Sequence, residues 1–381
     1  MSTARTVDPD RLDALMERAR REVEAGTIPA CQLAVALDGE VVAEATFGAP
    51  EGSRFHGYSS GKAVVAGAVW LLLGEGALAL DDRVADHIPE FGTHDKDRIT
   101  LEQVLLHTSG FPRAPFATLD WNDRDVRLAR FSSWRTNWEP GTRFEYHATS
   151  AHWVLVELIE RVTGQDWRQF LVERLLDPLG LEDLRFGVAP EDQGDIVDVV
   201  TVGEAPTAAD LEALTGIAGL DLAAFQGEVT DEMLLTFNQP EVRAVGSPGG
   251  GLITTAADLA LWYQALLHDP KGLWDPATLA DATGHVRCTF RDPMTSAPVN
   301  RSIGVIIRGD DDQIQMRGLG RTVSARAFGH NGAGGQVAWG DPETGLSFVY
   351  LTNGLDRHPL VHGRRGAALA NRAGLLTTPA G

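Results

Sequence analysis

Ser59 and Lys62 stand three residues apart at the head of an apolar run, residues 63–73. On a helix that spacing puts a hydroxyl and an amine on one face, within hydrogen-bond reach. A serine beside an amine that can take its proton is an activated nucleophile, the starting point of covalent acyl transfer. A helix start adds unpaired N–H groups and the positive end of the dipole, which favour a neutral amine and a developing oxyanion. The same residues also suit a plainer purpose. Ser59 or Ser60 can cap a buried helix while Lys62 reaches outward from its first turn. Only three of the 33 basic residues are lysines, which makes the pairing less of a coincidence, but the pair alone leaves both readings open.

A rival pattern overlaps it. Gly57-Tyr58-Ser59-Ser60-Gly61 matches Gly-x-Ser-x-Gly, the nucleophile elbow of a serine triad, with His330 as a late base. An elbow needs a buried strand of a mostly parallel sheet before it. Here only Phe55–Tyr58 precedes Ser59, and an antiparallel hairpin precedes that.

The elements that must position these groups come from a chain of 381 residues, 43% hydrophobic and 23% charged, long enough for two structural lobes. A formal charge of -20 argues against nucleic acid and anionic membranes as partners. Residues 1–8 carry no apolar signal core, and no run reaches the roughly 18 apolar residues of a membrane span, so a cytoplasmic protein is expected. Cys31 and Cys288 are too few and too far apart for a disulfide framework or zinc site and read as packing thiols. His87, His94 and His107 form no recognisable ligand set, so no metal is expected.

Periodicity predicts a helix over residues 8–25 and strands over Cys31–Leu37 and 41–47, joined by the hairpin turn Asp38-Gly39. Thr100 caps a short helix with Glu102 and Gln103 in its first turn. Residues 113–138, with Trp121, Trp134 and Trp138, read as loop and short helices that either wall a pocket or simply pack. Helices follow over about 151–162, ending at Gly164, and over 166–176, stopped by Pro178 and Gly180. Residues 190–248 are the least readable, with helical patches at 208–214 and 220–225, and are expected to shape the substrate entrance. Gly249-Gly250-Gly251 leads to a helix starting near Thr255 and ending near Leu267. Strand-like runs at 303–308, 325–329, 336–339 and 347–351 precede a final helix, 362–372. The expectation is an α/β protein: an antiparallel sheet flanked by N- and C-terminal helices, built from residues 1–90 and 285–381, with a mainly helical lobe, 91–284, inserted and the active site between the lobes.

Several motifs occur in a set order: Ser59-Ser60-Gly61-Lys62, residues 76–84 (Gly-Ala-Leu-Ala-Leu-Asp-Asp-Arg-Val), Leu105-Leu106-His107-Thr108-Ser109-Gly110, residues 140–146 ending at Tyr146, and Gly329-His330-Asn331-Gly332. In that order the chain resembles the serine hydrolases of the class C β-lactamase superfamily, which includes DD-peptidases and family VIII carboxylesterases. The resemblance runs from about residue 30 to 353. It implies that Ser59 is the acylated nucleophile, that Lys62 helps to deprotonate it, and that Tyr146 completes the base pair as tyrosinate or proton shuttle. It implies that His330-Asn331-Gly332 is the substrate-binding strand, with His330 in the cationic position. The N–H groups of Ser59 and Ala333 would form the oxyanion hole, and no cofactor is needed. A tyrosine is a poor base at neutral pH unless a cation lowers its pKa, and Lys62 could supply that field; burial pushes the tyrosine the other way and lowers the lysine.

One departure narrows the chemistry. The family's Tyr-x-Asn reads Tyr146-His147-Ala148 here, so the amide that holds an acylamido group is missing. The expected substrate is therefore a small carboxylic ester. Alternatives at the same site are a β-lactam or D-amino-acid amide, acyl transfer to another acceptor, or a sensor that acylates slowly.

Overall fold

The computed structural model describes residues 5–377 apart from 217 and 220–228. Six helices carry the argument: α1 (Pro9–Glu24), α2 (Lys62–Gly74), α3 (Leu101–Leu105), α4 (Ser150–Thr163), α5 (Ala256–His268) and α6 (Pro359–Ala373). The strands are β1 (Cys31–Leu37), β2 (Glu40–Phe47), β3 (Phe55–Tyr58), β4 (Val200–Val202), β5 (Leu252–Thr254), β6 (Ile306–Ile307), β7 (Phe328–Gly329), β8 (Val337–Asp341), β9 (Leu346–Thr352) and β10 (Gly354–Asp356).

Both ends of the chain build one antiparallel sheet, in the order β2-β1-β9-β8-β7-β6. Asp38 and Gly39 adopt positive φ, 50° and 92°, the geometry that a two-residue hairpin requires. β1 is buried along its whole length. Its Cys31, Leu33 and Val35 face α1 and α6, while Ala34 and Ala36 face the core that contains α5, so a period of two sorts one strand between two cores. β2 closes the edge with Glu40 and Glu44 outward, which discourages pairing with another chain.

The second core joins the sheet to the helices. α2 is buried on every side from Lys62 to Leu72, as its unbroken apolar run demands. A Cβ at Gly67 would stand 2.7 Å from the Trp262 ring of α5, so this glycine lets α2 and α5 touch. Gln264 on α5 donates to the carbonyls of Ala36 and Gly345, each at 3.0 Å, and accepts from Gly39 N–H at 2.8 Å. α5 thus belongs to the sheet, although the expected boundary at residue 284 assigns it to the helical lobe.

Other differences have local causes. β6 and β7 are only two residues long, and Ile306 of β6 with His330 and Asn331 just after β7 line the cavity described below. Pro178 does not stop its helix: Val172–Leu176 widens into a π turn that absorbs it, and Gly180, at φ 71°, ends the segment. Trp121 and Trp134 are buried core residues, with Trp121 stacked on Trp153 at 5.1 Å, and neither lines the main cavity. The patch at 220–225 lies outside the described residues. Among the described residues no helix is long and apolar enough to cross a membrane.

Candidate active site

The nucleophile segment is set by a strand pair and a strained residue. β3 pairs with β5 through Phe55↔Thr254, His56↔Ile253 and Tyr58↔Leu252, with an irregularity at Gly57. Side chains at Gly57 and Gly61 would meet Leu252 at 2.7 and 2.8 Å. Tyr58 has φ 46° and ψ -129°, a conformation that costs on the order of 1–3 kcal/mol for a non-glycine residue. Its ring is held by Phe237, edge to face at 5.6 Å, and by His56, stacked at 5.7 Å. The kink turns the chain from β3 into the 3-10 turn Ser59–Gly61 and then α2.

No side chain caps this helix, so Ser59 and Ser60 do not serve as caps. Nor does Lys62 reach outward: it is fully buried. Its Nζ lies 3.1 Å from Ser59 Oγ and 2.7 Å from the Ala148 carbonyl, and it also meets the Gly249 carbonyl. These three oxygens satisfy either form of the amine, the ammonium with three N–H donors or the neutral amine with two and a lone pair, so the surroundings decide its charge. Burial, reinforced by the charge of Arg301, holds the Lys62 amine well below the ordinary lysine range. Gly249 is needed for this contact, since a Cβ there would stand 2.8 Å from the Ala148 oxygen.

Tyr146 closes the other side. Its hydroxyl lies near Ser59, and its ring centre is 5.2 Å from Lys62 Nζ. His107 stacks on the ring at 5.0 Å. The backbone around it is pinned by two histidines. His147 N–H donates to His107 Nδ1 at 3.0 Å, while His147 Nε2 accepts from Phe111 N–H at 3.1 Å and Nδ1 lies 2.7 Å from the Glu145 carbonyl. Both rings are buried, and burial takes the His147 pKa down to about 3, so this scaffold is neutral. Burial also raises the Tyr146 pKa, against an opposing pull from Arg301 and from the hydrogen bond to Ser59.

The strand motif behaves differently from expectation. His330 is buried, with Nδ1 2.9 Å from the Asn331 carbonyl and Nε2 3.5 Å from Arg301 Nη2. Arginine can only donate, so Nε2 is an acceptor and the ring proton sits on Nδ1. Burial, then the charges of Arg301 and Lys62, push its pKa well below 6.5. These partners and this shift favour the neutral ring of His330, where the resemblance implies a cation. Asn331 lines the cavity, but its amide is occupied: Nδ2 donates to the Gly318 carbonyl at 2.9 Å and Oδ1 accepts from Ala338 N–H at 3.2 Å. Gly332 allows the motif to approach the nucleophile segment, since a Cβ would stand 2.3 Å from the Gly57 carbonyl. Ser59 and Ala333 both line the cavity.

The cavity has a volume of about 620 Å³ and is walled by Phe144, Leu234, Met294 and Val299 around Ser59, Tyr146 and Arg301. Leu234 comes from the poorly readable stretch, which does contribute to the entrance. Two participants were not anticipated. The Gly249 carbonyl was marked only by its glycine run, and Arg301 carried no local signal. The partners of Ser59 Oγ are Lys62, Gly249 and Tyr146, none of them a histidine, so an elbow triad is not assembled.

This geometry has counterparts among known proteins. The chain is 26% identical over 310 residues to the esterase/beta-lactamase LipL of Mycobacterium tuberculosis, covering 78% of this chain and 68% of that protein. It is 28% identical over 300 residues to esterase EstB of Burkholderia gladioli, covering 71% and 73%. A penicillin-binding protein homolog from Caulobacter crescentus superposes with a TM-score of 0.80 at 28% identity, over 97% of this chain and 99% of that one. The protein is a hydrolase of the carboxylesterase/β-lactamase type. With the family profile described as Beta-lactamase matching residues 12–372, across sheet, nucleophile and cavity alike, this chain belongs to the β-lactamase family.

Proposed function

We propose that the protein hydrolyses small carboxylic esters through an acyl-enzyme on Ser59. The observation that carries this reading is the burial of Lys62 with its Nζ 3.1 Å from Ser59 Oγ: desolvation and the charge of Arg301 hold the amine well below the ordinary lysine range, which suits it to take the serine proton. Ser59 Oγ attacks the ester carbonyl as its proton passes to Lys62, and the oxyanion rests on the N–H groups of Ser59 and Ala333. The carbon–alkoxide bond then breaks, the alkoxide takes the proton of the Tyr146 hydroxyl, and Tyr146 regains one from the Lys62 ammonium. Water, activated by the same pair, releases the acid. Asn331 contributes by holding the strand and the 318 segment together.

Ala148 supports an ester over an amide, because it offers the site only a backbone carbonyl, already used by Lys62. The likeness to a penicillin-binding protein homolog keeps amide or β-lactam cleavage as the second reading. Two buried free thiols suit a cytoplasmic location.

The test is a panel of p-nitrophenyl butyrate, a chromogenic cephalosporin and a D-alanyl peptide, run on wild type and Ser59→Ala. Ester turnover should dominate and fall by about four orders of magnitude or more in the variant. Faster cephalosporin or peptide turnover overturns the ester preference. Fluorophosphonate labelling of Ser59 without turnover of any substrate identifies a slow-acylating sensor instead, and full activity in the variant removes Ser59 from the mechanism.

A further inference from the structure

Arg301 is buried to 4% exposure in the cavity wall. Its guanidinium carbon is 5.2 Å from the Tyr146 ring centre and 5.6 Å from that of Phe144, and one nitrogen is 3.5 Å from His330 Nε2. The second terminal nitrogen, Nη1, is buried with no partner. Among the described residues no carboxylate forms an ion pair with it. That is unusual in this protein. The buried side chains of Arg127, Arg243, Arg317 and Arg365 each meet a carboxylate, and Arg308 gives its N–H groups to three carbonyls. A charge removed from water without an ion-pair partner is costly in the folded protein; Asp292, on the cavity wall, acts on Arg301 only from beyond ion-pair distance, and the guanidinium stands against the ring of the tyrosine beside Ser59.

Arg113, Arg143, Arg317 and Arg357 also line the cavity, but each is paired with a carboxylate. Burial holds the Lys62 amine well below its ordinary range, and His330 turns an unprotonated nitrogen toward Arg301. We propose that Arg301 is the unpaired positive charge of this active site and the positioning residue for Tyr146, held there to stabilise the tyrosinate left when Tyr146 protonates a departing alkoxide. The inference rests on the acyl-enzyme reading above. In a cavity wall of low dielectric, a cation a few ångströms from a forming phenolate acts far more strongly than it would in water. Before the reaction the same guanidinium meets a neutral ring face, a weaker attraction, so its stabilisation grows as the proton leaves.

The step makes a specific demand. The ester C–O bond breaks, an O–H bond forms on the alkoxide, and the Tyr146 O–H bond breaks to leave an anion beside Arg301. A p-nitrophenolate leaves as a stable anion and needs no proton, whereas an ethoxide does. The experiment compares kcat/KM, which reports acylation, for p-nitrophenyl butyrate and ethyl butyrate in wild type, Arg301→Gln, Arg301→Lys and Tyr146→Phe.

Arg301→Gln should lose about 100-fold or more on the ethyl ester but less than about fivefold on the p-nitrophenyl ester. Arg301→Lys should recover at least about tenfold of the ethyl-ester loss. Tyr146→Phe should show the same split, and the double variant should be no worse than Tyr146→Phe alone. Equal losses on both esters overturn the proposal and make Arg301 a structural residue. So does unchanged ethyl-ester turnover with a raised KM for a hemisuccinate ester, which assigns Arg301 to anion binding. If the Gln variant does not fold, Arg301→Met removes the charge while keeping an apolar stem and is read in the same way. Wild-type and Ser59→Ala turnover of the p-nitrophenyl ester tests the acyl-enzyme reading separately, so the two failures are distinguishable.

Discussion

Arg365 and Arg301 are the same residue type at nearly the same burial, in two regions with opposite electrostatics. Arg365, on α6, meets Glu22 of α1 at 3.1 Å and Asp356 of β10 at 2.9 Å, closing the layer of helices behind the sheet. Arg301 has aromatic rings and a neutral histidine around it and an open cavity beside it. A buried cation that is neutralised within the fold acts in holding elements together. One left without a counter-charge is positioned for a charge that arrives or forms later. The local tally of N–H partners does not reveal this, since each arginine has one terminal nitrogen without a partner; the placement of carboxylates does.

The comparison can be broken by stability measurements. The largest effect belongs to Arg365→Ala, which leaves the buried Asp356 without its cation, while Glu22 keeps only Arg18, and should cost about 3–5 kcal/mol. Urea unfolding measures it, and a loss below about 1 kcal/mol would place Arg365 outside the structural role. The activity per folded molecule should stay at the wild-type level.

Acid should weaken the catalytic region next. His56 and His147 are held at about 3 by burial, and burial keeps His107, His152 and His330 well below 6.5. In the unfolded chain each takes up a proton near pH 6.5, so their contribution is complete above that pH and is lost progressively from 6.5 down toward about 3. The slope is about 1.4 kcal/mol per pH unit for each such histidine once well below 6.5. Urea midpoints should therefore fall between pH 7 and 5, and hydrogen exchange should show residues 107–111 and 146–152 opening before α1 and α6. A flat midpoint over that window contradicts the neutral assignment.

The smallest effect completes the contrast. Arg301→Met removes a charge that has no internal counter-charge, so its stability should change by no more than about 1 kcal/mol or improve. A thermal midpoint depressed as far as that of Arg365→Ala would erase the distinction between the two arginines.

Reading the sequence recovered the parts whose causes are local. The turn Asp38-Gly39, the Thr100 cap of α3 with Gln103 in its first turn, and the left-handed Gly164 that ends α4 all depend on neighbours a few residues away. Pairings across long separations were not legible. β3 with β5 and β4 with β10 join segments about 150 to 200 residues apart, each too short to show a pattern of its own. The tryptophans of residues 113–138 illustrate the same limit, because an aromatic residue in a polar stretch suits a cavity wall or a core equally well until its neighbours are known.

At the site, the residue types and the three-residue step from Ser59 to Lys62 were determined by sequence, since helical geometry alone brings those side chains together. The ordered motifs added Tyr146 and the His330-Asn331-Gly332 strand, and the alanine at 148 spoke for an ester. The charges were decided by tertiary structure. Lys62 is held below the ordinary lysine range because packing encloses it in a dry interior near Arg301, with carbonyls of Ala148 and Gly249, 86 and 187 residues away, as its partners. His330 turns its free nitrogen to Arg301, and Arg301 keeps an unpaired charge because, among the described residues, packing brings no carboxylate within ion-pair distance of it. Protonation follows from desolvation and from partners brought in by packing, neither of which is written in the spacing of residues along the chain.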